Sequence, residues 1–293
     1  MAAVIILAAL ALTNCFRSLI PGYIDGYPER PVFSWANDTW FSELSTEEQL
    51  AALSIMSFGG SDHDVFTSVV VAHDGSIYAV GYSDSTDAGF ANKGGSTGVA
   101  SEGAWDAVIV KYDSNLKQQN MASWGGSESD FFTSVAVAPD GSIYAAGYSY
   151  NTVVGPGNNR VYGAVIVKYD SDLKQQNMVF SSSKEINGLA SVAIALDGSV
   201  YVVGTSGVTD MVLPNKGISK WDAVIEKFDS GLEQQNMGYW RGSESNTFFS
   251  VAVTPDGSIC VVGSSCSADA GFAKKGSSDA VIIKLSNRVF DRN

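Results

Sequence analysis

Histidine and cysteine are scarce, with two of the first (His63, His73) and three of the second (Cys15, Cys260, Cys266) in 293 residues. Two histidines do not furnish a His-rich catalytic metal centre, and three scattered cysteines do not make a disulfide framework. Cys260 and Cys266 lie on an expected strand and its exit, too extended for a bridge. Basic side chains are also few, 18 against 31 acids, for a net charge of −13. Such a chain has no positive footprint for a phosphate backbone, which excludes nucleic acid as a partner class. No apolar run approaches the roughly 20 residues that a membrane-spanning helix needs. What is present is 45% hydrophobic residues and 30 glycines, enough apolar surface for one large core or two ordinary ones.

Residues 1–13 carry no charge and are almost wholly apolar, the pattern of the core of a secretory signal. Leu12-Thr13-Asn14-Cys15 resembles the bacterial lipoprotein signal, which makes Cys15 a candidate for lipid attachment. Two departures from that pattern stand. No Lys or Arg precedes the apolar run, and Asn14 occupies a place usually held by a small residue. A buried N-terminal strand or helix is the alternative. Residues 16–50 read as an irregular tail rich in Pro, Gly, Tyr and Arg, with a short capped helix beginning at Ser45.

From residue 51 to 293 the chain repeats itself. Asp-Gly recurs at Asp74-Gly75, Asp140-Gly141, Asp197-Gly198 and Asp256-Gly257, at spacings of 66, 57 and 59. The peptides KYDSNLKQQNM, KYDSDLKQQNM and KFDSGLEQQNM begin at Lys111, Lys168 and Lys227, and Lys284 marks a fourth copy. Each copy reads as four short strands. Asp-Gly joins the first two as a hairpin, the third is a continuous apolar run such as Ala164-Val165-Ile166-Val167, and the fourth is polar and edge-like. Continuous apolar character requires cover on both faces. No helix-length segment supplies it, so each sheet must be covered by the next. The expectation is an all-β chain, a β-propeller of four four-stranded blades; a sixteen-stranded β-sandwich is the rival. Only three full outer strands follow the four third strands. The fourth is expected from residues 52–58, which precede Gly59-Gly60 as Met121–Trp124 precedes Gly125-Gly126, and which should pair with residues 280–285 to close the ring.

The unit G-G-S-x-x-D-x-F-x-S-V-A-V, D-G, Y-x-x-G, D-A-x-I-x-K-x-D resembles the bacterial β-propeller repeat of exported and cell-surface proteins. Copy two carries it in Gly125-Gly126-Ser127, Asp130, Phe132, Ser134-Val135-Ala136-Val137, Asp140-Gly141, Tyr144, Gly147 and Lys168, with Gly163 replacing the Asp that opens the third strand. Ser181-Ser182-Ser183 replaces Gly-Gly-Ser in the third copy. The resemblance implies the fold and a secreted or cell-surface setting, and no shared catalytic residue.

Chemistry is sparse. Gly94-Gly95-Ser96-Thr97-Gly98 fits the nucleophile-elbow pattern but sits in a Gly/Ser-rich loop of an all-β repeat, without a His partner. Asp62-His63-Asp64 and Asp170-Ser171-Asp172 offer oxygen ligands for calcium, yet neither has the ligand series of a calcium loop, and Asx turns account for them equally. No cofactor is expected. In a propeller the Asp-Gly and Asp-Ser turns share one side, and the loops that differ between copies share the other. The candidate ligand-binding residues therefore lie on the variable side: Asp62, Asp64, Trp105, Glu128, Asp130, Trp221 and Glu244. Acids beside tryptophans suit a glycan, through ring stacking and hydroxyl hydrogen bonds, or a basic peptide. The expected function is a non-enzymatic exported binding module. The alternative is a polysaccharide hydrolase or lyase using loop carboxylates on one propeller face.

Overall fold

A computed structural model describes residues 56–87, 104–126, 128–150, 163–181, 188–207, 221–271 and 275–290. The N-terminal segment with Cys15, the tail, its expected helix and the Gly94–Gly98 loop lie outside the described residues. The described chain forms four antiparallel sheets in sequence order. Blade 1 contains β1 (Asp64–Val71), β2 (Ile77–Ser83), β3 (Asp106–Tyr112) and β4 (Gln118–Trp124); blade 2 contains β5 (Asp130–Val137), β6 (Ile143–Ser149), β7 (Gly163–Tyr169) and β8 (Gln175–Ser181). Blade 3 contains β9 (Gly188–Ile194), β10 (Val200–Gly207), β11 (Trp221–Phe228) and β12 (Gln234–Trp240). Blade 4 has three strands, β13 (Asn246–Val253), β14 (Ile259–Ser265) and β15 (Asp279–Leu285), followed by a 3-10 turn at Asn287–Val289. A stack of four sheets replaces the rival two-sheet sandwich.

The hairpin turns form as the Asp-Gly pairs dictate. Gly75, Gly141 and Gly198 have φ of 84° and Gly257 of 78°, a region that side chains other than glycine rarely enter. Asp140 Oδ1 accepts from Ser142 N at 2.9 Å, as do its counterparts in the other blades. In every blade the first strand is bulged next to a glycine of the second. A Cβ on Gly147 would overlap the carbonyl of Phe131, and Gly81, Gly204 and Gly263 stand in the same relation to their own first strands. This close approach is why the Tyr-x-x-Gly spacing recurs.

Between successive blades lie three apolar cores. Tyr78, Val80, Ala107 and Ile109 of blade 1 meet Phe132, Val135 and Ile143 of blade 2. Tyr144, Ala146, Ala164 and Ile166 of blade 2 meet Leu189, Val192 and Val224 of blade 3. Tyr201, Val203, Ala223 and Ile225 of blade 3 meet Phe248, Val251 and Val261 of blade 4. The third strands of blades 2 and 3 are thus covered on both faces by neighbouring blades, as their continuous apolar runs require, and on the outer face of blade 1 Ala79, Val110 and Tyr112 are buried with Phe58, Phe66 and Met121 packed against them.

The same order accounts for the near-identical KYDS…QQNM peptides. Asp170 Oδ1 accepts from Asp172 N and Lys174 N at 2.9 Å each, and Gln176 Nε2 reaches Oδ2 at 3.0 Å. That turn is then gripped by the preceding blade: Lys111 Nζ and Tyr78 OH both donate to Ser171 O, at 2.9 and 3.2 Å, and Asn120 Nδ2 donates to Asp172 O. Lys168, Tyr144 and Asn177 hold Ser230 O and Gly231 O of blade 3 in the same way. The repeated polar residues at this end of the stack are inter-blade clamps.

Residues 51–55 of the expected closing strand lie outside the described residues, and Met56–Phe58 is not in a strand. Phe58 nonetheless stacks on Phe66 at 5.5 Å, as Trp124 stacks on Phe132 and Trp240 on Phe248. It occupies the place of the last residue of an outer strand.

Candidate functional site

The antiparallel order puts the β2–β3, β4–β5 and equivalent connections at the end of the stack opposite the clamps. At that end of blades 1 and 2 the aromatic side chains run together. His63 lies 5.7 Å from Trp105, Trp105 meets Tyr82 edge-on at 4.9 Å, and Tyr82 meets Phe131 at 4.8 Å. Phe131 stacks on Tyr148 at 4.9 Å, and Tyr150 closes the series at 5.8 Å from both. All but His63, which is exposed, are half-buried, so each presents part of a ring to solvent. Their backbones are fixed by the loops between blades: Asp130 N donates to Trp105 O at 2.7 Å and Tyr150 N to Ser129 O at 2.9 Å. His63 Nδ1 lies 3.3 Å from Asp84 Oδ2, and its backbone N donates to Asp84 Oδ1.

Of the candidate ligand-binding residues named from the sequence, only Trp105 belongs to this ladder. Trp221 holds the equivalent place in blade 3, with its backbone N donating to Ser245 Oγ as Trp105 N does to Ser129 Oγ. It is 39% exposed and stands apart from the ladder. Asp64 is engaged within its own loop, accepting from Gly60 N at 2.8 Å and from the hydroxyls of Ser83 and Ser85. Asp130 accepts from Gly126 N at 2.8 Å and is fully buried. Burial, reinforced by the nearby charges of Asp106 and Glu128, pushes its carboxyl up to about 6 despite hydrogen bonds from Ser149 and Gly126. Asp106, also buried, and Asp130 flank Gly125, where a Cβ would strike both carboxyls. Glycine opens this loop because two acids lie beneath it. Glu244 and Asp62 are exposed, and their backbone N–H groups donate to Ser267 Oγ and Ser85 Oγ. Asp170, weighed for calcium, has its carboxylate filled by the three donors of its own turn.

Tyr82, Phe131, Tyr148 and Tyr150 are not among the residues singled out in the sequence. A signal was present. The first-strand position held by Val65, Phe131, Gly188 and Thr247 and the second-strand position held by Tyr82, Tyr148, Thr205 and Ser264 differ from blade to blade, unlike the positions around them.

Fold and site together define a propeller-type stack of antiparallel blades with an aromatic strip at one end. No protein-family model matches the chain, and no curated protein matches it. Similar solved structures include a thermostable family-43 glycoside hydrolase at 13% identity and a TM-score of 0.40, covering 74% of this chain and 69% of that one. A protein of unknown function from Bacteroides caccae is 10% identical with a TM-score of 0.36, covering 67% of this chain; this chain spans about half (52%) of its length. A glucose dehydrogenase is 10% identical with a TM-score of 0.30, covering 78% and 82%. At these values no activity is carried from them to this chain. Among the described residues no helix is long and apolar enough to cross a membrane.

Proposed function

We propose that the chain is a non-enzymatic recognition module of the bacterial exported β-propeller repeat type, binding a glycan or a basic peptide at the variable end of its blades. The observation that carries this is the division between the two ends. One end spends its repeated Lys, Tyr and Asn on holding blades together. The other presents the strip from His63 through Trp105 to Tyr150. Partly exposed rings in series suit the apolar faces of sugar units, and the exposed acids Asp62 and Glu244 at the same end suit hydroxyls or basic side chains. No cofactor is part of this reading. The scaffold is completed by residues 52–58 lying along β15 as the missing outer strand.

A hydrolase or lyase reading would fall on Asp106 and Asp130, the two adjacent carboxyls. Both are buried beneath Gly125-Gly126, which favours a structural role for them.

A glycan and peptide array probed with the purified protein, with and without calcium, tests the proposal. Binding to one class, weakened in Trp105→Ala, supports it. An array without binders, or binding indifferent to Trp105, contradicts it. Export is proposed from the charge-free run ending at Cys15, with that cysteine as the lipid anchor. Mass spectrometry of the natively expressed protein should then find a chain beginning at or beyond residue 15, and an intact Met1 in a cytosolic fraction contradicts export.

A further inference from the structure

The aromatic strip consists of two sets of three rings that share Phe131. Tyr82 stands at 79° to Trp105 and 72° to Phe131, while those two lie within 30° of parallel. Tyr150 stands at 70° to Phe131 and 68° to Tyr148, while those two lie within 24° of parallel. Each of the five rings engages at least two others. One ring set across two leaves a cleft between ring edges, not an open plate. A sugar gains most from a plate, because its apolar face lies flat on an aromatic face. A proline ring is compact and rigid and seats in a cleft. The spacing agrees. Tyr82 and Tyr148 hold the same place on β2 and β6 of neighbouring blades, and Phe131 stands between them at 4.8 and 4.9 Å. Sheets pack roughly 10 Å apart, and one turn of a polyproline II helix advances about 9 Å.

We propose that this strip binds a polyproline II segment of a protein partner, with two prolines one turn apart and a Lys or Arg beside them, an inference that rests on this end being the recognition surface and that selects the peptide over the glycan. Such a helix makes no hydrogen bonds of its own, so its carbonyls need donors from the surface beneath. The hydroxyls of Tyr82 and Tyr148 and the indole N–H of Trp105 are donors of that kind, on half-buried rings and with no hydrogen bond among the described residues. Burial pushes the Tyr148 hydroxyl above its ordinary range, with Tyr150 and Tyr82 adding to the rise, so it keeps its proton to donate.

The surroundings set the charge of the partner. Asp62 is exposed next to His63 at the Trp105 end of the strip, and Asp84 holds the His63 ring at 3.3 Å. Glu128 precedes Ser129, whose Oγ accepts from Trp105 N and whose carbonyl accepts from Tyr150 N. Among the described residues, no Lys or Arg belongs to this end of blades 1 and 2. A basic residue flanking the prolines meets these acids, and a chain of net charge −13 repels an acidic one. A polyproline II segment is ordered before it binds, so a strip of a few clefts has little lost chain entropy to offset.

Fluorescence anisotropy reads the result, with a labelled decapeptide carrying one Pro-x-x-Pro spacing and an arginine at each end. The wild-type chain should bind it, and should bind the version with both prolines changed to alanine about tenfold or more weakly. Tyr82→Phe with Tyr148→Phe keeps the rings and removes two donors, so it should weaken binding about tenfold with unchanged circular dichroism. Asp62→Asn should flatten the salt dependence of binding, and Tyr144→Phe, at the clamp end, should bind as the wild type does. A proline-free peptide that binds equally well, or a double variant that binds as tightly as the wild type, overturns the proposal. Cellohexaose, xylohexaose and chitohexaose titrated into the same protein separate the two kinds of failure. A sugar that binds through Trp105 where the peptide does not overturns the polyproline assignment and keeps the recognition end. Binding of neither overturns both.

Discussion

Glu226 is the least expected residue of the stack. It sits on β11 where the other blades carry Val110, Val167 and Ile283 on their third strands, and it is 4% exposed. Burial pushes its carboxyl up from 4.5 to about 7, against a 2.7 Å hydrogen bond from Gln234 that favours the charge. The folded state holds this proton more tightly than the unfolded chain does. Stability from this group is therefore complete below about pH 4.5 and is lost as pH rises toward 7, a loss on the order of 3 kcal/mol. Glu226→Gln should remove that slope and raise the melting temperature at pH 8, while changing little at pH 4.5. Thermal melts of both proteins at the two pH values check it. A second residue-scale prediction concerns Leu116 and Leu173, whose φ of 61° and 60° is left-handed and unfavourable for leucine; Leu173 is buried and Leu116 half-buried. Leu173→Gly relieves the backbone but removes a buried side chain, so it should cost about 2–4 kcal/mol. Leu116→Gly should cost far less or stabilise. Equal losses at the two positions would contradict the role given to burial.

Among the elements, the strands and their turns were legible because their chemistry is local. Asp-Gly forces the hairpin, the bulge demands the glycine three after Tyr144, and Asp170 with Gln176 closes the outer turn. The reason for repeating Lys168 and Asn177 was not legible. Their partners, Ser230 O and Gly231 O, are backbone atoms more than 50 residues away that carry no sequence signature. The aromatic strip was hidden for a related reason. Phe131 and Phe132 are adjacent and point opposite ways, one to the loop end beside Tyr148 and one into the core beside Tyr169. Neither is marked by its type. Asp64 and Asp130 looked available in sequence because nothing there shows that the Gly-Gly loops close over them. Removing one clamp tests the element-scale account. Tyr144→Phe deletes the 2.8 Å bond to Ser230 O and should lower stability by about 1 kcal/mol, measured by urea unfolding.

At the scale of the whole molecule, the blades form a stack whose two ends have different work. Cohesion resides where the copies agree, and recognition is proposed where they differ, on a scaffold whose positions are set by the three inter-blade cores. The division of labour is the central claim, and one paired measurement bears on it most directly. For a ligand selected on the array, affinity and melting temperature are determined for Trp105→Ala with Tyr148→Ala, and separately for Tyr144→Phe. Each lost stacking contact is worth on the order of 1 kcal/mol, so the first protein should bind about tenfold or more weakly and keep most of its melting temperature. The second should melt lower and bind as the wild type does. The reverse pattern, with affinity lost at Tyr144 and retained without the two aromatic rings, would contradict the account.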